Sequence, residues 1–379
     1  MSKEDVSTGT YLDFAATTPV DARVAELVLR LMRDDFANAG SRTHEQGVMA
    51  AREVAKARER VAAELGAAPE EVVFTSGATE SSNIAILGLA RADRSRRHIV
   101  TTAIEHAAVH GPVDALEADG FEVSRILPNH LGRVVAADVL AAVRPDTLLV
   151  SVMHANNETG AVQPIVEIAG SLPAGPAFHV DAAQTFGRLS ADLHHDRVDL
   201  ASVSGHKIYA PKGVGALMVR QGHGRPAVSP IMHGGGQERG LRPGTVPVAL
   251  VAGLGLAAEL AGRERDKRSE RCAAIRSDAL RALAPLGAVV HGRDGPALPH
   301  ILGVAFPGVD SEALMVALRG VAAISNGSAC TSALYRPSHV LEAMDLPDDV
   351  VRGTVRFSWS HNVSPPPWDA VAAIVRMLS

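Results

Sequence analysis

Short apolar runs alternate with helical patterns over residues 47–220, and this alternation restricts the fold more than any other feature. The helical patterns cover residues 47–65, 79–90, 107–119 and 165–171. Parallel strands need long connections, usually helical, so the pattern predicts an α/β fold with right-handed crossovers and a largely parallel sheet. Shorter connections leave room for an antiparallel strand. The apolar runs are EVVFT from Glu71, HIVTT from His98, FEVSRIL from Phe121, TLLVSVMH from Thr147, AFHVDAA from Ala177, LASVSG from Leu200 and GALMVR from Gly215.

The chain is long enough for two domains. Of its 379 residues, 46% are apolar but only 3% aromatic, so the interior must consist mostly of Ala, Val, Leu and Ile, which suits helices packed on a parallel sheet. From about residue 247 the pattern changes to a long Ala/Leu/Arg/Glu-rich helix, predicted to run to about residue 286. We expect the change of domain inside this helix, and a last helix that starts at prolines 365–367.

Charge and hydropathy exclude several classes of protein. The formal net charge is −5, and the short basic run at residues 91–97 is interpreted as a solvated helix end, so direct binding to nucleic acid is not expected. The N-terminus has no apolar signal region, and no segment reaches the roughly 18 apolar residues of a membrane span. These features predict a cytoplasmic protein that does not bind the membrane.

Metal and nucleotide sites are not expected either. His194, His195, His223 and His233 lack paired cysteines and the helical His-Glu-x-x-His spacing. The sequence has no Walker A motif, and the glycines at 234–236 lack the lysine and helix of a nucleotide loop.

Lys207 stands behind Ser204 and His206 at the end of an apolar strand, just before a turn rich in proline and glycine. A lysine amine that its surroundings keep neutral bonds covalently to aldehydes. Pyridoxal phosphate (PLP) is the aldehyde cofactor that enzymes most often anchor in this way. The position of Lys207 therefore favours a PLP enzyme.

Two further segments agree with a PLP site, although each has a structural alternative. Asp181 ends a strand that should be buried on both faces, so its carboxylate needs a cationic partner, either the protonated PLP nitrogen or an arginine. Gln184 follows, at a position from which it could donate to the phenolic oxygen of the ring. Ser76, Gly77 and Ala78 leave a strand, and Thr79 opens a helix whose free N–H groups suit a phosphate, but an ordinary helix cap has the same pattern.

Nine blocks occur in order along nearly the whole chain: YLDFAATTPV, TSGATESSN, IEHAAV, MHANNETGAVQPI, HVDAAQ, SGHKIYAPKG, HGGGQERGLRPGT, SNGSACTS and VRFSWS. They resemble the cysteine desulfurases of the NifS/IscS type, group I, which are PLP enzymes of the class V aminotransferase family. The resemblance implies fold type I, with a large PLP-binding domain at residues 15–262 and a seven-stranded, mainly parallel sheet. A smaller α+β domain, residues 1–14 and 263–379, should carry the catalytic cysteine loop.

The resemblance also implies roles for the cofactor-binding residues. Lys207 is expected to bind PLP covalently, and His106 to stack on its ring and exchange protons with the substrate. Asp181 is expected at the pyridinium nitrogen and Gln184 at the ring hydroxyl. The implied phosphate ligands are Gly77, Ala78, Thr79, Ser204 and His206 from one subunit and Thr245 from its neighbour, which predicts a homodimer.

Substrate chemistry is implied in the same way. Asn157 and Arg356 resemble the pair that holds the substrate carboxylate. L-cysteine should displace Lys207 from the cofactor, and the freed lysine should move a proton from the substrate Cα. The thiolate of Cys330, in the Ser/Gly-rich block SNGSACTSA, should then attack the substrate sulfur, giving alanine and a persulfide for an acceptor protein. Cys272, in a charged helix, is assigned to packing, and a structural disulfide is not expected.

Several positions depart from the family pattern. Asn326 stands where a small residue is expected, Pro243 replaces a small residue beside Thr245, and residues 360–361, Ser-His, replace Gly-Arg. The loop form indicates cysteine rather than selenocysteine as the preferred substrate. The chain ends at Ser379, where housekeeping members continue. Our hypothesis is a dedicated sulfur donor, for example for tRNA thiolation, DNA sulfur modification or a biosynthetic pathway, with iron–sulfur assembly as the competing role.

Two other classes keep parts of the pattern. An aminotransferase or selenocysteine lyase of the same fold keeps Lys207 and Asp181 but does not need Cys330. A scaffold protein with an inactive cofactor site is the third alternative, because a fold alone does not establish function.

Overall fold

A computed structural model gives the fold and describes residues 9–222, 224–326 and 337–379. Its strands are β1 (Thr10–Tyr11), β2 (Val72–Thr75), β3 (His98–Thr102), β4 (Glu122–Ile126), β5 (Thr147–Met153), β6 (Ala177–Asp181), β7 (Leu200–Ser204), β8 (Gly215–Val219), β9 (Val289–Val290), β10 (Ile301–Ala305), β11 (Ala322–Ala323) and β12 (Thr354–Ser358). Its α-helices are α1 (Ala22–Arg33), α2 (Glu45–Leu65), α3 (Ala78–Ala92), α4 (Ala107–Ala118), α5 (Ala136–Ala141), α6 (Ile165–Ser171), α7 (Val248–Arg263), α8 (Arg265–Leu283), α9 (Ser311–Ala317), α10 (His339–Ala343), α11 (Asp348–Arg352) and α12 (Trp368–Leu378).

The main sheet contains, within the described ranges, seven strands in the order β2-β8-β7-β6-β5-β3-β4. All neighbours pair in parallel except β8, which is antiparallel to both β2 and β7. β8 follows β7 after the short connection of residues 205–214, too short for a helical crossover. The predicted α/β fold with a mainly parallel seven-stranded sheet is confirmed.

Helices cover both faces of this sheet, which explains why its central strands are apolar along their whole length. Successive side chains of a strand point to opposite faces, so Val72 and Phe74 join the core beneath α2 and α7, whereas Val73 joins the core beneath α3 and α4. Leu149 and Val150 of β5 divide between the two cores in the same way. Both faces of the sheet are thus buried beneath helices.

A second core surrounds a small antiparallel sheet in the order β12-β10-β9. Phe357 and Trp359, both almost fully buried, pack there with Leu302, and the ring of Trp368 meets both aromatic rings edge-on. Leu12 belongs to this core, and β1 pairs in parallel with β11. The N-terminal segment therefore packs against the C-terminal part of the chain.

The long helix predicted from about residue 247 to 286 is two helices, so that prediction was wrong. α7 ends at Arg263, and Glu264 leaves the helical conformation with φ −106° and ψ 9° before α8 begins. The Glu264 carboxylate accepts hydrogen bonds from Arg23 of α1 at 2.7 Å and from Arg268 of α8 at 2.8 Å. The Arg268 contact has ordinary helical i,i+4 spacing, but Arg23 is distant in sequence, so the sequence periodicity did not reveal the break. Among the described residues, no helix has the length and apolar character needed to cross a bilayer.

Candidate active site

The carboxyl ends of five strands meet at one edge of the main sheet, where open α/β sheets usually bind their ligands. Gly77 follows β2, His106 follows β3, Asn157 follows β5, Asp181 ends β6, and Lys207 follows β7. The structure therefore brings these five predicted residues, each from a different part of the sequence, to the same edge.

The amine of Lys207 lies inside this site. Its Nζ donates hydrogen bonds to the backbone carbonyls of Ala15 at 2.5 Å and Ala16 at 2.8 Å. Burial, together with the nearby charges of Arg356 and Arg188, lowers the pKa of Lys207 from 10.5 to about 8. Near neutral pH a substantial fraction of this amine is therefore unprotonated and nucleophilic.

Asp181 and Gln184 lie beside the lysine. One Asp181 carboxylate oxygen, Oδ1, accepts the N–H of Ala183 at 2.9 Å, and burial raises the pKa of this carboxyl, while His106 and Lys207 act in the opposite direction. The Gln184 amide donates to Ala15 O at 3.0 Å, and its buried Oε1 has no hydrogen-bond partner among the described residues. A ligand with a cationic group would compensate the buried Asp181 carboxylate, and one with a hydrogen-bond donor would satisfy Gln184 Oε1.

His106 caps the first turn of α4, and its Nδ1 accepts the N–H of Ala108 at 3.1 Å. The neutral ring consequently carries its proton on Nε2. The ring is exposed at the open side of the site, but surrounding protein still desolvates it and lowers its pKa; the nearby Asp181 carboxylate opposes this effect. Its neighbour Glu105 is fully buried, accepts from Thr102 Oγ1 at 2.8 Å, and has its pKa raised to about 8 by burial.

The predicted phosphate ligands divide into two groups. Gly77, at φ +156°, precedes α3. A Cβ built at Gly77 would lie 3.7 Å from Ser204 Oγ. Ser204 therefore faces the turn that leads into Ala78 and Thr79. A Cβ at Gly215 would lie only 2.6 Å from Gly77 Cα, so the turn needs glycine on the neighbouring strand as well. The remaining candidates are His206 and the exposed Thr245. His206 Nδ1 forms a hydrogen bond with Thr17 Oγ1 at 3.1 Å, and burial lowers the pKa of His206 to about 4.

Asn157 and Arg356, the predicted carboxylate-binding pair, are in contact, but Arg356 bonds to the backbone carbonyl of Asn157 and not to its side chain. The Arg356 guanidinium donates from Nη1 to the carbonyl of Asn157 at 2.8 Å and from Nη2 to Asp13 Oδ1 at 2.6 Å. Its Nε is buried and has no partner in the described part of the chain. The backbone of Arg356 pairs with that of Ser325, near the start of the cysteine segment.

Cys330, the predicted catalytic thiol, lies outside the described residues. Cys272 is buried in α8, and burial raises its pKa to about 11, so at neutral pH it is a protonated and unreactive thiol. Across the three described ranges, no group of three or more His, Cys, Asp or Glu side chains is placed to hold a metal ion.

Sequence reasoning missed four contributors to this site: the carbonyls of Ala15 and Ala16, the carboxylate of Asp13, and the buried Glu105. The available signal was their presence in two blocks of the family resemblance, YLDFAATTPV and IEHAAV. Neither block carried a role from its residues alone, because backbone carbonyls leave no trace in side-chain chemistry and the partners of the two carboxylates, Arg356 for Asp13 and Met153 for Glu105, are distant in sequence.

The site fits PLP on observations of its own. It contains an amine of lowered pKa, a buried carboxyl at the end of β6, a Gln184 amide oxygen without a partner in the described ranges, and a glycine turn at the start of a helix. An aldehyde, a pyridinium nitrogen, a ring hydroxyl that donates to the amide oxygen, and a phosphate are the groups that such partners recognise.

Comparison with known proteins agrees with this chemistry. Residues 10–365 match the family Aminotransferase class-V. A cysteine desulfurase IscS of Anaeromyxobacter dehalogenans is 47% identical over 353 residues, which cover 92% of this chain and 86% of that protein. The crystal structure of DndA from Streptomyces lividans is 48% identical and covers 93% of this chain and 99% of its own, with a TM-score of 0.79. The structure of SspA in complex with cysteine is 37% identical and covers 94% and 99%, with a TM-score of 0.80.

The chain belongs to the class V aminotransferase family of PLP-dependent enzymes. Its high identity to IscS over most of both chains narrows this class further. Within the family it is a cysteine desulfurase, whose cofactor is PLP and whose substrate is cysteine.

Proposed function

We propose that the enzyme removes sulfur from L-cysteine, releases L-alanine, and holds the sulfur as a persulfide on Cys330 until an acceptor protein takes it. The observation that carries this proposal is the buried Lys207 amine, with a pKa of about 8, in a site that also contains Asp181 and Arg356. These groups supply a nucleophilic amine, a buried anion and a carboxylate-binding cation in one site.

PLP, when bound, supplies an electron sink that makes the substrate Cα–H bond acidic. Lys207 would bind the aldehyde, Asp181 the ring nitrogen and Gln184 the ring oxygen, while His106 would lie on the ring. The phosphate would bind the N–H groups of the turn before α3 and the side chains of Thr79, Ser204 and His206. The lowered pKa of Lys207 suits a second task, because a neutral amine can accept the proton from the substrate Cα.

Arg356 would orient the substrate through its carboxylate. The buried Nε of Arg356 has no partner among the residues that the structure describes, so it is a donor that a carboxylate oxygen would satisfy. Asp13 holds the other side of the guanidinium in place. Asn157, whose backbone carbonyl accepts a hydrogen bond from Arg356 Nη1, would complete the pocket. Arg356→Lys keeps the charge but loses the planar donor set, so we expect KM for cysteine to rise more than kcat falls.

The sulfur step uses the thiolate of Cys330. Its attack on the substrate sulfur forms a sulfur–sulfur bond while the carbon–sulfur bond breaks, and the carbon keeps the electron pair, gains a proton and leaves as alanine. The net charge of −5 favours delivery to a protein rather than directly to a nucleic acid. We place this reaction in the cytoplasm and in a dedicated sulfur pathway.

The phosphate site would be completed by Thr245 of a second subunit in a homodimer. Thr245 is exposed on its own chain and so accessible to a neighbour. Thr245→Ala should weaken PLP binding in a protein that remains dimeric by sedimentation. The domain limits remain those expected from the sequence, 15–262 for the large domain and 1–14 with 263–379 for the small one, and the separate core around Trp359 supports them.

Sulfur-labelled L-cysteine tests the proposal. The wild-type enzyme with PLP should gain labelled sulfur on the peptide that contains Cys330, together with an equal amount of alanine. Cys272→Ser is the matched control and should behave like wild type, because its buried thiol is protonated. Cys330→Ser should lose both products. If Cys330→Ser instead released sulfide at the wild-type rate without added thiol, the persulfide mechanism would be wrong.

Label transfer also tests the pathway. Proteins captured from the native host should include an acceptor other than an iron–sulfur scaffold. Transfer to such a scaffold alone would contradict the dedicated role.

A further inference from the structure

A cavity of about 60 Å³ lies beside Ile208 and Tyr209, the two residues that follow Lys207. Its wall is formed by residues that follow Lys207, by the helices α7 and α8, and by the segments before β10 and after β12. A cavity needs only about 10–15 Å³ to hold one water molecule, so this one has room for several waters or for a small ion.

The cavity wall is cationic. Among the described residues that line it are three arginines and two histidines, and no aspartate or glutamate. Arg265 and Arg268 have carboxylate partners outside the wall, Glu64 and Glu264. Arg188 has no carboxylate partner in the described part of the chain: its guanidinium donates to the backbone carbonyls of Gln184 at 3.3 Å and Lys207 at 2.8 Å, and it also interacts with the Tyr209 side chain, which is neutral at pH 7.

His300 provides a second, independent observation. It is 3% exposed and lines the same cavity, and its Nε2 has no hydrogen-bond partner among the described residues. Burial, together with Arg188, Arg276 and Lys207, keeps the pKa of His300 well below its usual range, so the ring is neutral. A neutral ring with its proton on Nε2 would need an acceptor in the cavity.

We propose that this cavity binds a small monovalent anion, of which chloride is the simplest, between the guanidinium of Arg188 and Nε2 of His300. Water would satisfy the hydrogen bonds but would leave the buried charge of Arg188 without a counter-ion. Chloride accepts hydrogen bonds from both donors and compensates that charge.

The anion would act on Lys207. Besides burial, Arg356 and Arg188 lower the pKa of this lysine, whereas Asp13 and Asp181 raise it. An anion bound at Arg188 offsets one of the two cations, so occupancy should raise the pKa of Lys207 and reduce its neutral fraction at a given pH. The cavity is thus a site at which the ionic composition of the solution tunes the amine that binds the cofactor.

Two measurements on the holoenzyme test the site. A crystal soaked in bromide should show an anomalous peak between Arg188 and His300. In solution, replacing gluconate, which is too large for the cavity, by chloride at constant ionic strength should give a saturable rise in Tm of about 2 °C at ten times the dissociation constant. Water without anomalous signal in the cavity, or a Tm that does not respond, would overturn the proposal.

Variants separate the site from general salt effects. Arg188→Met should abolish the chloride response, and Arg188→Lys, which keeps the charge, should retain it. Arg281→Gln is the matched control, because this arginine on α8 is 76% exposed, and the variant should respond like wild type. An equal response in Arg188→Met and wild type contradicts the site. If Arg188→Met does not fold, His300→Leu should weaken the response, and an unchanged response there also contradicts it.

Discussion

The pKa of Lys207 determines how much reactive amine the cofactor-free enzyme contains, and it can be measured directly. With a pKa of about 8, about one quarter of the amine is neutral at pH 7.5, whereas at the ordinary value of 10.5 the neutral fraction is about one in a thousand. The structure therefore predicts labelling by an amine reagent about 200 times faster than at an ordinary lysine of equal access. The measurement is the pH dependence of labelling, read by mass spectrometry of the peptide that contains Lys207.

The exposed Lys56 of the same sample serves as an internal reference for the reagent. Arg356→Gln removes one of the cations that lower the pKa, so the midpoint should rise but remain below 10.5, because burial is the larger cause. The unfolded chain binds more protons than the folded chain between pH 8 and 10.5, so stability should rise with pH over this window, by about 3 kcal/mol in total. Lys207→Met should remove that rise. A labelling midpoint near 10.5 in the wild type would refute the reasoning.

Three further predictions concern groups that support the site. Glu105, with its pKa raised from 4.5 to about 8, keeps its proton in the folded protein while the unfolded chain releases it, so stability should fall as pH rises through this window. Glu105→Gln should flatten the pH dependence of the free energy of unfolding, measured by urea unfolding at pH 5 and pH 8. An equal pH dependence in the variant and the wild type would contradict this prediction. Glu238 forms a two-point ion pair with Arg58 and accepts the N–H of Phe74, so Glu238→Gln should cost about 3 kcal/mol, against less than about 1 kcal/mol for Asp278→Asn in an exposed pair. If both variants lost less than about 1 kcal/mol, the buried ion pair would not contribute to the free energy of unfolding. Gly215→Ala places a Cβ 2.6 Å from Gly77 Cα and should weaken PLP binding by about tenfold. Gly111→Ala should not, because no described residue lies within 4 Å of the added Cβ. Unchanged affinity in Gly215→Ala would contradict the role of the turn.

The sequence predicted the parts of the fold that repeat along the chain. The alternation of apolar runs and helical patterns gave the parallel sheet, and the predicted helix at 165–171 coincides with α6. The same alternation placed Asp181 and Lys207 after neighbouring strands, because parallel strands end at one edge. The family resemblance added His106, Asn157 and Arg356, for which spacing alone offered no role.

Contacts between distant segments could not be predicted in this way. The carbonyls of Ala15 and Ala16 accept hydrogen bonds from the Lys207 amine, although they lie about 190 residues from it in sequence. Backbone carbonyls are the same in every residue, so the sequence does not mark them. The break between α7 and α8 at Glu264 follows a contact with Arg23, far away in sequence. Cavities such as the one beside Arg188 result from packing and have no sequence pattern of their own.

The central claim is that Lys207 is the amine that binds the aldehyde of PLP, and borohydride reduction of the holoenzyme tests it most directly. Reduction makes the bond between cofactor and lysine permanent, and peptide mass spectrometry then locates it. The structure predicts one pyridoxyl group per chain, on the peptide that contains Lys207. A pyridoxyl group on Lys212 or on another exposed lysine, with Lys207 unmodified, would contradict it.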